Sequence, residues 1–158
     1  LPFLLVGNAF SFLWNKKSLK VFIIVAFSVL VYINYTGMPF LSLPNRQKEQ
    51  VKQIAQFVLS KTDNKPYNFA LLTLGNSDHG YRYFLKLAGK DPVMIETLIN
   101  DPQRKTVTDQ LLVVCEDTAC QPRGAAVWEV AGFGRAEIVE EWNVSVVKVY
   151  KLEHYKGK

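Results

Sequence analysis

The chain has 158 residues, 49% of them hydrophobic, with 19 Lys and Arg against 14 Asp and Glu and a formal charge of +5. The charge is unevenly placed: every acidic residue lies beyond position 45, and up to that point the only charged residues are Lys16, Lys17 and Lys20. The remainder is only mildly basic and has no Lys/Arg stripe interleaved with aromatic residues, which argues against nucleic acid as a partner.

The first stretch, LPFLLVGNAFSFLW, is apolar, and after the lysine patch comes Val21 to Ile33, VFIIVAFSVLVYI, interrupted only by Ser28. A helix from Leu19 to Tyr35 rises about 25 Å against a hydrocarbon core of about 30 Å. The apolar segment from Thr36 to Leu43 completes the crossing, and Tyr32 and Tyr35 fall at headgroup depth. A buried core helix would show a polar face at helical period, and this run has none. The expectation is a transmembrane helical hairpin occupying residues 1–41, with segments at about 1–14 and 19–36 joined by a turn at Asn15 to Ser18. A start without Met inside an apolar stretch reads as a fragment of a larger membrane protein. A signal peptide is the competing reading, but Asn34 to Phe40 lacks a small-x-small cleavage pattern. Lysines on the cytoplasmic side place residues 42–158 outside the cytoplasm, in an integral protein of the cytoplasmic membrane.

From Ser42 the pattern changes. Pro44 and Asn45 supply a helix start, and Val51, Ile54, Ala55, Val58 and Leu59 recur at helical spacing, predicting an amphipathic helix from Arg46 to Ser60. Tyr67 to Leu74 reads as a buried strand, Gly75 to Gly80 as a loop, and Tyr81 to Ala88 as a helix that Gly89 stops, together the first half of a βαβ unit. Val93 to Ile95 is expected as a short edge strand and Gln110 to Cys115 as a second buried strand. A helical stretch from Pro122 to about Val130 follows, broken by Gly132 to Gly134. The alternation from Ile138 to Tyr150 predicts a hairpin turning at Asn143, with Glu140, Lys148 and Lys151 outward. The expected fold is a small α/β sandwich with a mainly parallel sheet and a C-terminal antiparallel hairpin.

Right-handed crossovers put the loops after Leu74 and Cys115 at the same carboxyl end of such a sheet, where open α/β sheets bind ligands. This makes Asn76, Ser77, Asp78, His79, Glu116 and Asp117 ligand-binding candidates, with Arg82 and Tyr83 able to meet an anionic or sugar ligand. His79 beside Asp78 suits a general base, and Asp78 with Glu116 and Asp117 suits a divalent cation. The plain alternative is that Asn76 and Asp78 serve turn and helix-cap chemistry and that His79 is simply exposed. Gly75 to Gly80 lacks both the Walker lysine and the dinucleotide glycine spacing.

Cys115 and Cys120 are the only cysteines. Their spacing allows a disulfide outside the cytoplasm, a free buried thiol, or a thiol nucleophile with His79 as its base. Zinc is disfavoured because only His79 and His154 remain as further soft ligands, so no metal site and no cofactor are expected.

A terminal membrane hairpin followed by YNFALLTLGNSDHGYRYFLKLAG, DQLLVVCED and EIVEEWNVSVVKVYKLEH resembles the carboxyl-terminal end of bacterial polytopic GT-C-type membrane glycosyltransferases. These are relatives of lipid-linked-sugar transferases that include protein mannosyltransferases and aminoarabinose transferases. The resemblance implies a parent that transfers a sugar from a polyprenyl-phosphate carrier, with its catalytic acids and its metal or lipid-phosphate contacts in loops preceding Leu1. No catalytic residue carries over, so the segment reads as an accessory domain. Its implied partners are the lipid bilayer, upstream membrane helices of the same chain, and a glycan or polyprenyl-linked sugar. Two other classes remain: a free-standing membrane-anchored ligand-binding or protein-interaction module, and a cation-dependent hydrolase centred on Asp78 and His79.

Overall fold

The structure, a computed structural model, describes residues 2–157 apart from 15, 17, 18, 39, 40, 42 and 118. It divides into two compact units, Leu1–Asn45 and Arg46–Lys158.

The first unit contains helices α1 (Pro2–Trp14) and α2 (Lys20–Thr36). The Phe10 and Phe27 rings meet edge to face at 6.1 Å, and Ile23 is buried. Most other apolar side chains are not: Val21 is 73% and Phe22 69% exposed. Helix α2 has 17 residues, and no helix among the described residues is long and apolar enough to cross a membrane. The turn expected at Asn15 to Ser18 lies mostly outside the described residues.

The second unit contains α3 (Gln47–Ser60), β1 (Asn68–Leu72), α4 (His79–Leu87), β2 (Gln110–Cys115), α5 (Trp128–Phe133), β3 (Ala136–Val144) and β4 (Val147–His154). The strands form one sheet in the order β1-β2-β4-β3. Only β1 and β2 run parallel; β2 with β4 and β3 with β4 are antiparallel. The sheet is therefore mixed and mostly antiparallel, which corrects the expectation of a mainly parallel one. Just one crossover, through α4, joins neighbouring strands, because Val93 to Ile95 does not form the expected strand. Val93 N instead donates a single bond to Tyr67 O at 2.9 Å.

Helices α3 and α4 cover one face of the sheet. Ile54, Ala55 and Val58 of α3 and Leu85 of α4 pack on Phe69, Leu112, Val114 and Val149. The opposite face buries Ala70, Leu111, Val113 and Leu152 beneath Ile95, Val130 and Phe133. All six residues of β2 are buried, as a strand between two apolar layers requires. Helix α5 starts and ends later than the glycines suggested: it runs through Gly132 and stops before Gly134 at φ 92°. Gly132 permits a close approach, since a Cβ there would lie 2.8 Å from Ile95 Cγ2. Trp128 Nε1 donates to Ile95 O at 2.8 Å on the same contact.

The hairpin turns at Ser145 and Val146 instead of Asn143, with Ser145 left-handed at φ 55°. Strand β4 lies inside the sheet, so Lys151 is buried, against its expected outward placement. Its ammonium donates to Asp63 Oδ2 at 2.6 Å, and this pairing holds the Asp63 carboxyl below the usual carboxylate range.

Asp101 closes the long connection between α4 and β2. Its Oδ2 accepts from Thr106 N and Oγ1, both at 2.7 Å, and these bonds lower its pKa. A depressed folded pKa gives stability that is present above the unfolded value and lost as pH falls through the folded one. The melting temperature of the chain is expected to fall below pH of about 4. Asp101→Asn is expected to flatten that part of the profile while lowering the melting temperature near neutral pH. An unchanged acid limb in the variant would show that Asp101 contributes nothing to it.

Candidate functional site

Because β1 and β2 are parallel neighbours, the loops that leave them emerge side by side. The Glu116 amide continues the ladder by donating to Leu72 O at 3.0 Å, and its side chain then turns toward the β1 loop. Asn76 Nδ2 donates to Glu116 Oε2 at 2.7 Å, and the Tyr81 hydroxyl donates to Oε1 at 2.8 Å. Each carboxylate oxygen thus has one neutral donor. Tyr81 is buried on the α3 and α4 side of the sheet. Desolvation first, and then the Glu116 carboxylate, push its pKa well above the usual phenol range, so the hydroxyl stays a proton donor.

These groups border a hollow of about 390 Å³, within the size range of small-molecule sites. Gln47 and Gln50 from the first turns of α3, Ser77 from the β1 loop and Val146 from the hairpin turn complete its wall. Glu116 is the one charged side chain among the described lining residues. None of the ion pairs among the described residues involves Glu116. A second, shallower hollow of about 360 Å³ shares Glu116, Val146 and Val147 with the first and adds Asp117 and Lys148. Lys148 is engaged: it donates to Glu141 Oε1 at 2.7 Å, which raises the lysine pKa and lowers that of Glu141.

Asn76, Ser77 and Glu116 therefore meet at one hollow, with Asp117 in the adjoining one. Asp78, His79 and Arg82 do not line either. Arg82 pairs with Asp78 one helical turn away and reaches Glu129 Oε1 at 3.5 Å and Phe69 O at 3.4 Å. It thereby covers backbone that the edge strand β1 would otherwise present to another chain. The Asp78 side chain makes no cap bond to α4. The His79 side chain is 88% exposed, with Nδ1 3.5 Å from Asp78 Oδ1. The Asp78 and His79 side chains thus stand together as expected, but on the surface and outside the two hollows that Glu116 lines. No group of three or more His, Cys, Asp or Glu suited to a metal occurs among the described residues.

Cys115 and Cys120 are joined in a disulfide with Cα atoms 5.9 Å apart. That leaves no thiol for the nucleophile reading and ties down the segment carrying Glu116 and Asp117. Sequence reasoning missed Tyr81, Gln47, Gln50 and Val146. The only available signal was the Gln47 and Gln50 spacing, which places both amides on one face of α3.

No protein-family model, no curated protein and no solved structure matches the chain.

Proposed function

We propose that the chain is a membrane-anchored, extracytoplasmic accessory domain whose hollow at the carboxyl ends of β1 and β2 binds a hydroxyl-rich ligand. In a parent membrane glycosyltransferase it would present a glycan or polyprenyl-linked sugar without carrying out the transfer. The observation that carries the binding reading is the Glu116 carboxylate, fixed by Asn76 and Tyr81 inside a wall of amides and hydroxyls. Planar amides, which both donate and accept, together with a carboxylate, which accepts, suit hydroxyl groups, whose donors and acceptors lie close together.

Two further observations support the location. Helices α1 and α2 expose apolar side chains over much of their length, as segments meeting lipid do, and residues 1–41 are read as the membrane hairpin. The Cys115–Cys120 disulfide suits an oxidising compartment.

Carbonate-washed membranes are expected to retain the chain, and protease added outside spheroplasts is expected to digest residues 46–158. Release by carbonate sinks the anchor, and complete protection from protease sinks the orientation. Replacing both cysteines by serine is expected to cost about 2 kcal/mol, the scale for so short a closed loop, measured by denaturant unfolding with and without reductant. Equal midpoints for the oxidised and reduced chain would remove the structural role of the disulfide. Asn76→Ala is expected to weaken binding of a neutral hexose, monitored through the amide resonances of Ser77 and Glu116.

A further inference from the structure

Hydroxyl-rich ligands differ in charge, and the hollow has a definite charge preference. Its one charged lining residue is Glu116. The carboxylate is not neutralised by its surroundings: Asn76 and Tyr81 are neutral donors, and they take one lone pair on each oxygen. A carboxylate oxygen accepts more than one bond, so capacity remains on both. Two further charged residues, Asp117 and Lys148, line the adjoining hollow, and there Lys148 is occupied by Glu141. The remaining wall offers side-chain amides, a serine hydroxyl and valine methyl groups, and no Lys, Arg or His is among the described lining residues. This environment is negative and fixed in place within a chain whose overall charge is +5.

We infer that the ligand carries a primary ammonium group that pairs with Glu116, with its hydroxyls held by Asn76, Ser77 and Gln50. An ammonium supplies several donors and a full positive charge to an acceptor already oriented, and charge-assisted bonds are about twice as strong as neutral ones. The same field works against a phosphate at this position, because no cation among the described residues lines the hollow to receive it. A phosphate-bearing carrier would have to place that group outside the hollow. This inference rests on the ligand-site reading above.

The test uses the full chain in detergent micelles, with glucosamine, glucose and glucose 6-phosphate as probes at millimolar concentration. The amide resonances of Asn76, Ser77, Glu116 and Val146 report binding. Glucosamine is expected to bind about tenfold or more tighter than glucose, the ratio one charge-assisted bond carries, and glucose 6-phosphate weakest. Glu116→Gln is expected to remove the advantage of glucosamine over glucose, with the melting temperature confirming a folded chain. Equal binding of glucosamine and glucose, or tightest binding of glucose 6-phosphate, overturns the ammonium while leaving the hydroxyl-ligand reading standing. A glucosamine preference that survives Glu116→Gln places the cation elsewhere and overturns the assignment to Glu116. Resonances unmoved by all three probes overturn both readings.

Discussion

Replacing Asn68 by alanine is expected to destabilise the second unit by about 3–4 kcal/mol. Asn68 is fully buried at the start of β1. Its amide donates to Val93 O at 2.7 Å and to Thr106 O at 2.9 Å. Its carbonyl accepts from Thr108 N at 2.8 Å and Thr108 Oγ1 at 2.9 Å. One side chain therefore holds two parts of the long connection between α4 and β2 against the first strand. Alanine would leave Val93 O, Thr106 O and the Thr108 donors without that partner, and an unmade buried bond costs more than a made one contributes. Asn68→Asp separates this from simple loss of volume, because a carboxylate would face two carbonyl oxygens with no proton to offer. It is expected to be at least as damaging as alanine. Thermal unfolding followed by circular dichroism measures both, and a domain of this size loses roughly 4–8 °C per kcal/mol. A shift within about 2 °C for either variant would remove Asn68 from the interactions that organise the fold.

Phe69→Ala is the second large effect, expected at about 3–5 kcal/mol from lost burial and the cavity left behind. Phe69 is 1% exposed in the layer beneath α3 and α4. Its ring lies 6.1 Å from that of Tyr81 and 5.8 Å from the Arg82 guanidinium carbon. The damage should extend beyond stability, because the Tyr81 hydroxyl holds Glu116 and its ring rests on this phenylalanine. Urea titration is expected to show a lowered midpoint. Under conditions where the variant is still folded, glucosamine binding is expected to weaken too. Phe69→Leu keeps most of the volume and is expected to cost less than about 1.5 kcal/mol. If Phe69→Ala lowered stability but left the hollow binding as before, the mechanical link from β1 to Glu116 would be wrong.

The elements were unequally legible. Strand β2 coincides with the apolar run Gln110 to Cys115, since a strand buried on both faces needs no alternation to be seen. Helix α3 was legible from the recurrence of Ile54, Ala55 and Val58, which are the three buried residues of that helix. The hairpin was legible but its turn was not. Asn143 carries the usual turn signal, yet strand pairing runs on to Val144 opposite Val147 and forces Ser145 into the left-handed region. Lys151 was misplaced because alternation indicates which face a residue takes, not whether that face is covered. In β4 it meets the segment after α3, where Asp63 receives it.

For the site, the sequence alone determined that loops following two apolar runs would share one end of a sheet, because a strand, helix and strand in succession favour a parallel pair. It also carried the division between a stretch free of acids and a charged remainder, since charge placement needs no fold to be read. The tertiary structure decided which loop residues meet. Asn76 and Glu116 are 40 positions apart and touch, whereas Asp78 and His79, neighbours of Asn76, turn to the surface and to Arg82. It also decided that β4 enters the sheet beside β2, making it mostly antiparallel, and that Tyr81 reaches Glu116 from beneath. The physical reason is the same in each case. Helical and strand periods are local properties of a chain, but the partner of a buried hydroxyl, a lysine or a strand edge is set by packing between segments far apart in sequence.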